Sequence, residues 1–150
     1  MGPIGATGAA GVPAPALWDM QWGVGTNSAV LFAGNTYSMS SDVAFERSRT
    51  KVMRLVPRAC GRVTLRAAIM GRVLGDAVDT FTVYRSPGPR PNDSSLAPTQ
   101  FSCTLESFAS TCEMQGDLAL GEWDALEMVW ETNGVAVSAG SPVSVSLACN

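Results

Sequence analysis

Histidine is absent from this 150-residue chain, and Lys51 is its only lysine. The first absence excludes histidine as a general base or metal ligand. The second leaves arginine to carry nearly all the positive charge. Charge of either sign is sparse. Only 15% of the residues are charged, where roughly 25% is usual. Ten bases against thirteen acids give a net charge of −3. An acidic chain lacks the electrostatic footprint of a nucleic-acid-binding domain, so no nucleic-acid partner is expected. No apolar run approaches the roughly 18 residues of a transmembrane helix, so no membrane span is expected. The sequence opens Met1-Gly2-Pro3-Ile4-Gly5, without a basic or apolar leader region, and no signal peptide is read there.

What the chain does have is four cysteines: Cys60, Cys103, Cys112 and Cys149. An even number suggests an oxidised protein, although four cysteines allow three pairings. Zinc sites usually present cysteine pairs two to four residues apart, and Cys103 and Cys112 are more widely spaced. The local pair Cys103–Cys112 fits a disulfide across a hairpin. That leaves Cys60–Cys149, joining a mid-chain strand to the last one. Four buried reduced thiols are the alternative.

Glycine stands at Gly2, Gly5, Gly8 and Gly11, giving the triplets Gly-Pro-Ile, Gly-Ala-Thr, Gly-Ala-Ala and Gly-Val-Pro. Strict period three is the collagen pattern, because only glycine fits the crowded axis of three polyproline-like chains. The register ends where Pro13-Ala14-Pro15 begins. Residues 1–12 are read as a collagen-like stub, with a low-complexity linker as the alternative. Residues 13–22 are read as a neck and residues 23–150 as a head. A triple helix needs three parallel chains, so a homotrimer is the expected assembly.

Within the head the apolar pattern has period two. Val63, Leu65, Ala67 and Ile69 alternate with more polar neighbours, as do Phe81 and Val83, and Val143, Val145 and Leu147. Leu126, Met128 and Trp130 share a face, with Glu127 and Glu131 opposite. Lys51–Val56, Ala29–Phe32 and Phe101–Leu105 are also strand-like. Gly34-Asn35, Pro57, Gly75-Asp76, Pro87-Gly88-Pro89, Gly116-Asp117 and Asn133-Gly134 read as turns. The fold class that follows is all-β, a jelly-roll-like antiparallel β-sandwich. The stretch Ser86–Pro98 reads as a long loop. Tyr84, Arg90, Asn92, Asp93 and Trp123 are the candidate ligand-binding residues on or near it.

Little in the sequence supports catalysis. A serine nucleophile would need Lys51 or a carboxylate as its base. Paired carboxylates for glycoside hydrolysis are available only as Glu122 with Asp124, or Glu127 with Glu131. No enzyme activity, catalytic residue or cofactor is expected. Calcium at Asp76 with Asp79, or at Asn92 with Asp93, is the one metal alternative to solvated turn residues. The charge is strongly segregated. Residues 46–90 hold all ten bases against three acids, whereas residues 91–150 hold eight acids and no base. Arg54, Arg62 and Arg66 are therefore expected to face Glu113, Glu127 or Glu131 across strands or between protomers.

A Gly-X-Y stub followed by an all-β head resembles bacterial and phage collagen-like proteins. Their heads are similar to the complement globular head and to tumour necrosis factor. Thr80-Phe81-Thr82-Val83-Tyr84-Arg85 looks like a central jelly-roll strand of these heads. Leu120 to Met128 is similar to their "Gly-Asp then alternating apolar" strand, with Glu122 and Trp123 intervening before Asp124. The resemblance implies a non-enzymatic trimerising head that nucleates and caps a collagen-like fibre. The implied location is extracellular: a cell surface, spore surface or virion. Its alternative is a carbohydrate- or receptor-binding tip of an adhesin or phage tail fibre.

Overall fold

A computed structural model of the chain describes residues 17–22, 35–39, 45–46, 53–69, 78–106, 109–132 and 143–150. These residues form ten strands: β1 Trp18–Trp22, β2 Asn35–Met39, β3 Phe45–Glu46, β4 Arg54–Leu55, β5 Cys60–Ile69, β6 Asp79–Ser86, β7 Ala97–Leu105, β8 Thr111–Leu120, β9 Ala125–Thr132 and β10 Val143–Cys149. One sheet has the order β1-β10-β5-β8, and the other runs β3-β2-β9-β6-β7 with β4 also paired to β9. From β5 onward the chain crosses between sheets after β5, β7, β8 and β9. This is the double-sheet jelly-roll arrangement, and among the described residues every strand pairing is antiparallel.

The alternation in the sequence places the core. Val63, Leu65, Ala67 and Ile69 of β5 are buried and pack with Val143, Val145 and Leu147 of β10 on the inner face of the first sheet. The register Leu147↔Leu65 and Val145↔Ala67 keeps both apolar sets on one face, since a one-residue slip would turn them to solvent. Phe81, Val83, Met128 and Trp130 supply the other wall. Phe81 and Trp130 stack with ring centroids 5.4 Å apart. Each such buried side chain contributes about 1.5–3 kcal/mol.

Four expectations are corrected here. Gly116-Asp117 is not a turn but lies inside β8. A Cβ at Gly116 would come within 3.3 Å of the Phe101 ring, so the glycine makes room for an aromatic rather than for a bend. Cys103–Cys112 is a disulfide, but it does not cross a hairpin. Its cysteines lie on β7 and β8, which belong to different sheets, so it ties the two layers together. Trp18–Trp22 is not a neck outside the head. It is an edge strand paired along its length with β10, and Trp22 is wholly buried. Asp79 is not a loop oxygen for calcium. It is buried in β6 and accepts a 3.0 Å hydrogen bond from Trp130 Nε1.

Cys60–Cys149 joins neighbouring strands β5 and β10 across a sequence separation of 89. A loop of that length is worth about 4.6 kcal/mol in the chain-entropy account. Gly2, Gly5, Gly8, Gly11, Asp76 and the Ala29–Phe32 run lie outside the described residues.

Candidate functional site

The strand directions collect one set of connections at one end of the sandwich. Cys149 ends β10, Cys60 begins β5, and Leu120 ends β8 opposite Cys60. In the second sheet Ser86 of β6 and Leu55 of β4 both pair with Ala125 at the start of β9. The polypeptide also enters here, because the Leu17 N–H donates to the Cys149 carbonyl at 2.8 Å. Chain entry, chain end, the 87–96 loop, the 121–124 turn and the 56–59 segment thus share one end.

Asp124 organises this end. Its Oδ1 accepts from the Gly88 N–H at 2.7 Å. Its Oδ2 accepts from the Gly121 N–H at 2.7 Å and from Arg85 Nε at 2.7 Å. Burial disfavours the charged carboxylate, but the two backbone donors and the Arg85 guanidinium outweigh it, holding Asp124 below the usual carboxylate range. The backbone is also engaged. Val56 donates to the Asp124 carbonyl at 2.8 Å, and Trp123 donates to the Val56 carbonyl at 3.1 Å.

The loop is built rather than loose. Ser86, fully buried, accepts from the Asn92 N–H at 2.9 Å through its Oγ, which also donates to the Asn92 carbonyl at 3.0 Å and pairs with Ser95 Oγ at 2.6 Å. Asn92 Oδ1 accepts from the Ser95 N–H at 2.9 Å and from Ser94 Oγ at 2.5 Å. It caps the short 3-10 turn Asp93–Ser95 as asparagine commonly does. Gly88 lies against the turn so closely that a Cβ would fall 2.7 Å from the Trp123 carbonyl carbon and oxygen. The Gly88–Pro89 peptide is cis.

Trp123 has φ 72°, a left-handed conformation that a bulky residue rarely adopts, and its side chain is 54% exposed. Of the candidate ligand residues, the structure brings Trp123 against the loop. Arg90 is exposed on that loop. The Asn92 amide is spent on capping, and Asp93 begins the short turn. Tyr84 stands apart. It lies in β6 on the face opposite the buried Phe81 and Val83, paired with Glu127 and Pro98. Arg85, Gly88 and Ser86 were not among the candidates, and Asp124 was considered only as a carboxylate paired with Glu122. The available signal was an aspartate three residues after Gly121, spaced to accept that glycine's N–H across a turn.

Each carboxylate pair is split between a buried and an exposed member. Asp124 is fixed by three donors, Glu122 is exposed, and Glu127 is wholly buried in β9. Among the described residues, no group of three acids or cysteines is placed to share a metal ion, and no helix is long and apolar enough to cross a membrane. On the outer face of the first sheet, Arg66 Nε meets Glu113 at 2.7 Å and Arg62 meets Asp117 at 3.4 Å, each pair in direct cross-strand register. Arg54 instead donates to the Gln21 carbonyl at 2.6 Å and lies over the Trp22 ring. An open depression of about 430 Å³ on that face is lined by Arg66, Glu113, Ser144 and Ser146. A second, of about 280 Å³, lies beside Arg85, Pro87 and Gln100.

No protein-family model matches the chain, and no curated protein matches it. Among solved structures it is similar to murine APRIL, with 11% identity, a TM-score of 0.48, and coverage of 88% of this chain and 98% of that one. It is also similar to Eiger TNF from S. frugiperda, with 10% identity, a TM-score of 0.47, and coverage of 91% and 94%. The jelly-roll assignment rests on the strand order rather than on these likenesses.

Proposed function

We propose that the chain is the non-enzymatic trimerising head of an extracellular collagen-like fibre, borne on a cell surface, spore or virion. In this reading residues 1–12 are the end of the stalk, and the head nucleates and caps its triple helix. The observation that carries the reading is the order of elements. A strict glycine period over residues 2–11 leads, within a few residues, into an edge strand at one end of a jelly roll. Three free chains nucleate a triple helix slowly, and a trimeric head raises their effective concentration. Two disulfides suit an oxidising compartment. The outer face of the first sheet supports close packing of copies, since Ser144, Ser146, Ala148 and Ala68 are small and its arginines are already paired.

Sedimentation equilibrium on the whole chain at micromolar concentration tests the reading. Three chain masses are expected, with and without reductant. A single chain mass would overturn it.

A second reading is a carbohydrate- or receptor-binding module, favoured by the exposed, left-handed Trp123. The chain enters at the same end as Trp123 and the 87–96 loop. Such a binding face would therefore lie beside a stalk, not at the distal tip. A glycan array on the whole chain, with Trp123→Ala alongside, tests it by loss of a specific hit.

A further inference from the structure

The strand β8 lies at a sheet edge. It pairs with β5 on one side, and among the described residues no strand pairs with its other side. The other edges formed by described strands are blocked in ways that proteins commonly use against stray pairing. β1 has five residues, and its Gln21 carbonyl is taken by Arg54. β3 has two residues. β7 carries Pro98 and a register shift against β6. β8 has ten residues, with neither proline nor lysine among them.

The register fixes which backbone groups of β8 face the open side. The Ile69 N–H donates to the Ser110 carbonyl at 3.0 Å, one step beyond the pair Ala68↔Thr111. Bonded and non-bonded pairs alternate along an antiparallel ladder. Cys112, Met114 and Gly116 therefore bond to β5, while Thr111, Glu113, Gln115 and Asp117 turn their N–H and C=O groups outward. Two separate bonds agree. Gln100 Nε2 donates to the Asp117 carbonyl at 3.1 Å from the β7 side. The Asn150 N–H donates to the Arg62 carbonyl at 2.9 Å, so the backbone of Arg62 faces β10 rather than Asp117. Gln100 thus closes the Asp117 end of the edge, whereas Thr111, Glu113 and Gln115 are exposed. The inward row is unfinished as well. Cys112 and Met114 pack on the core yet remain half-buried.

We propose that the 111–117 stretch of β8 receives an extended segment of a partner protein as a further antiparallel strand, a segment carrying two bases four residues apart with apolar residues between them. Strand addition draws affinity from main-chain bonds and specificity from alternate side chains. The matching pattern is already displayed on the occupied side. Arg62 and Arg66 of β5 stand opposite Asp117 and Glu113, with Val63 and Leu65 turned to the core between them. A segment reading base-apolar-polar-apolar-base would meet the same acids from the open side. Its apolar residues would lie beside Met114 and Gly116. The acids have capacity for a second cation, since each carboxylate oxygen accepts more than one donor. Asp117 has an 87% exposed side chain and holds Arg62 only at 3.4 Å. Glu113 gives Oε2 to Arg66 and Oε1 to Gln115. Residues 91–150 contain no base to compete for either. The docking edge goes beyond the stalk-and-head reading and does not rest on it.

The test titrates the whole chain with a synthetic peptide, blocked at both ends, that has the sequence of residues 62–68. Amide exchange followed by NMR is expected to slow at Glu113 and Gln115, while Met114 and Gly116 are slow before and after. The same peptide N-methylated at its Thr64 and Arg66 nitrogens, which would face β8, should not bind. Glu113→Gln with Asp117→Asn should weaken binding about two- to thirtyfold, as expected for two cross-strand charge pairs. Slow exchange at Met114 in that variant shows that its fold is intact. No binding at millimolar peptide overturns the proposal, as does equal binding of the N-methylated peptide. So does binding that leaves the Glu113 and Gln115 amides fast. Amides there that are slow without peptide and become fast on dilution also overturn it, because a second copy of the chain then occupies the edge.

Discussion

Two ion pairs of the same geometry sit in two different regions. Arg66 Nε lies 2.7 Å from Glu113 on the outer face of the first sheet, and Arg85 Nε lies 2.7 Å from Asp124 at the chain-entry end. Their surroundings differ. Side-chain exposures are 65% and 45% in the first pair, but 35% and 4% in the second. Water competes for every donor and acceptor of the first pair, so it contributes little. The buried carboxylate of the second pair cannot turn to water. It depends on Arg85 and on two backbone N–H groups that belong to two different connections. Distance alone would rank the pairs equal. Burial and the extra donors make one of them a structural node.

The sharpest way to break this comparison is Asp124→Ala. It removes the acceptor for Gly88, Gly121 and Arg85 together, and hydrogen bonds to a charged group are worth roughly 1.5–3 kcal/mol each. The partly exposed guanidinium recovers some hydration, so a loss of about 3 kcal/mol is expected. For a chain of this size that lowers Tm by roughly 6–12 °C. A change within about 0.5 kcal/mol, as for an ordinary surface site, would show the node to be ornamental. The pH dependence follows from the direction of the shift. Asp124 titrates lower in the folded state than in the unfolded chain. Its contribution is therefore complete above the ordinary carboxylate range and fades as pH falls through the depressed folded value. Urea unfolding of wild type and Asp124→Asn should show their difference shrinking towards acid.

Gly88→Ala attacks the same node from the loop side. The new methyl would meet backbone atoms of Trp123 at 2.7 Å and the Asp124 nitrogen at 3.0 Å. Backbone in a hydrogen-bonded turn yields less easily than a side chain. The expected loss is about 1–3 kcal/mol, with increased proteolysis in the 87–96 loop. An unchanged unfolding midpoint would mean the loop does not bear on the turn.

The same contrast explains what could be read from the sequence. β5 and β10 were legible because each has one wet face, so apolar residues fall on alternate positions and the period appears directly. β9 was legible only in part. Residues 125–130 are all buried, Glu127 included, so that glutamate interrupts an otherwise apolar run and looks like the start of a wet face. Gly116-Asp117 looked like a turn because the space Gly116 provides is claimed by Phe101, 15 positions earlier in the chain and in the other sheet. The Cys103–Cys112 spacing suggested a hairpin, because nearness in sequence cannot reveal that the chain changes sheets between them. The Asp124 node was the least legible part. Its partners Arg85 and Gly88 lie 39 and 36 residues away, and no local pattern encodes a meeting of that kind.

The smallest effect belongs to the exposed pair, and it is also the most discriminating. Arg66 and Glu113 face each other in register, so a double-mutant cycle with Arg66→Ala and Glu113→Ala isolates their coupling. An exposed pair should give about 0.2–1 kcal/mol, shrinking further as salt shortens the Debye length from about 10 Å at 0.1 M. The matching cycle at Arg85 and Asp124 should give a larger coupling that salt barely alters, because water and ions do not reach the Asp124 carboxylate. If the Arg66–Glu113 coupling instead proves large and insensitive to salt in the single chain, the outer face of the first sheet is less open to solvent than its exposures imply. If it becomes so only on assembly, the pair lies beneath a neighbouring copy, and the small-residue face is where the copies meet.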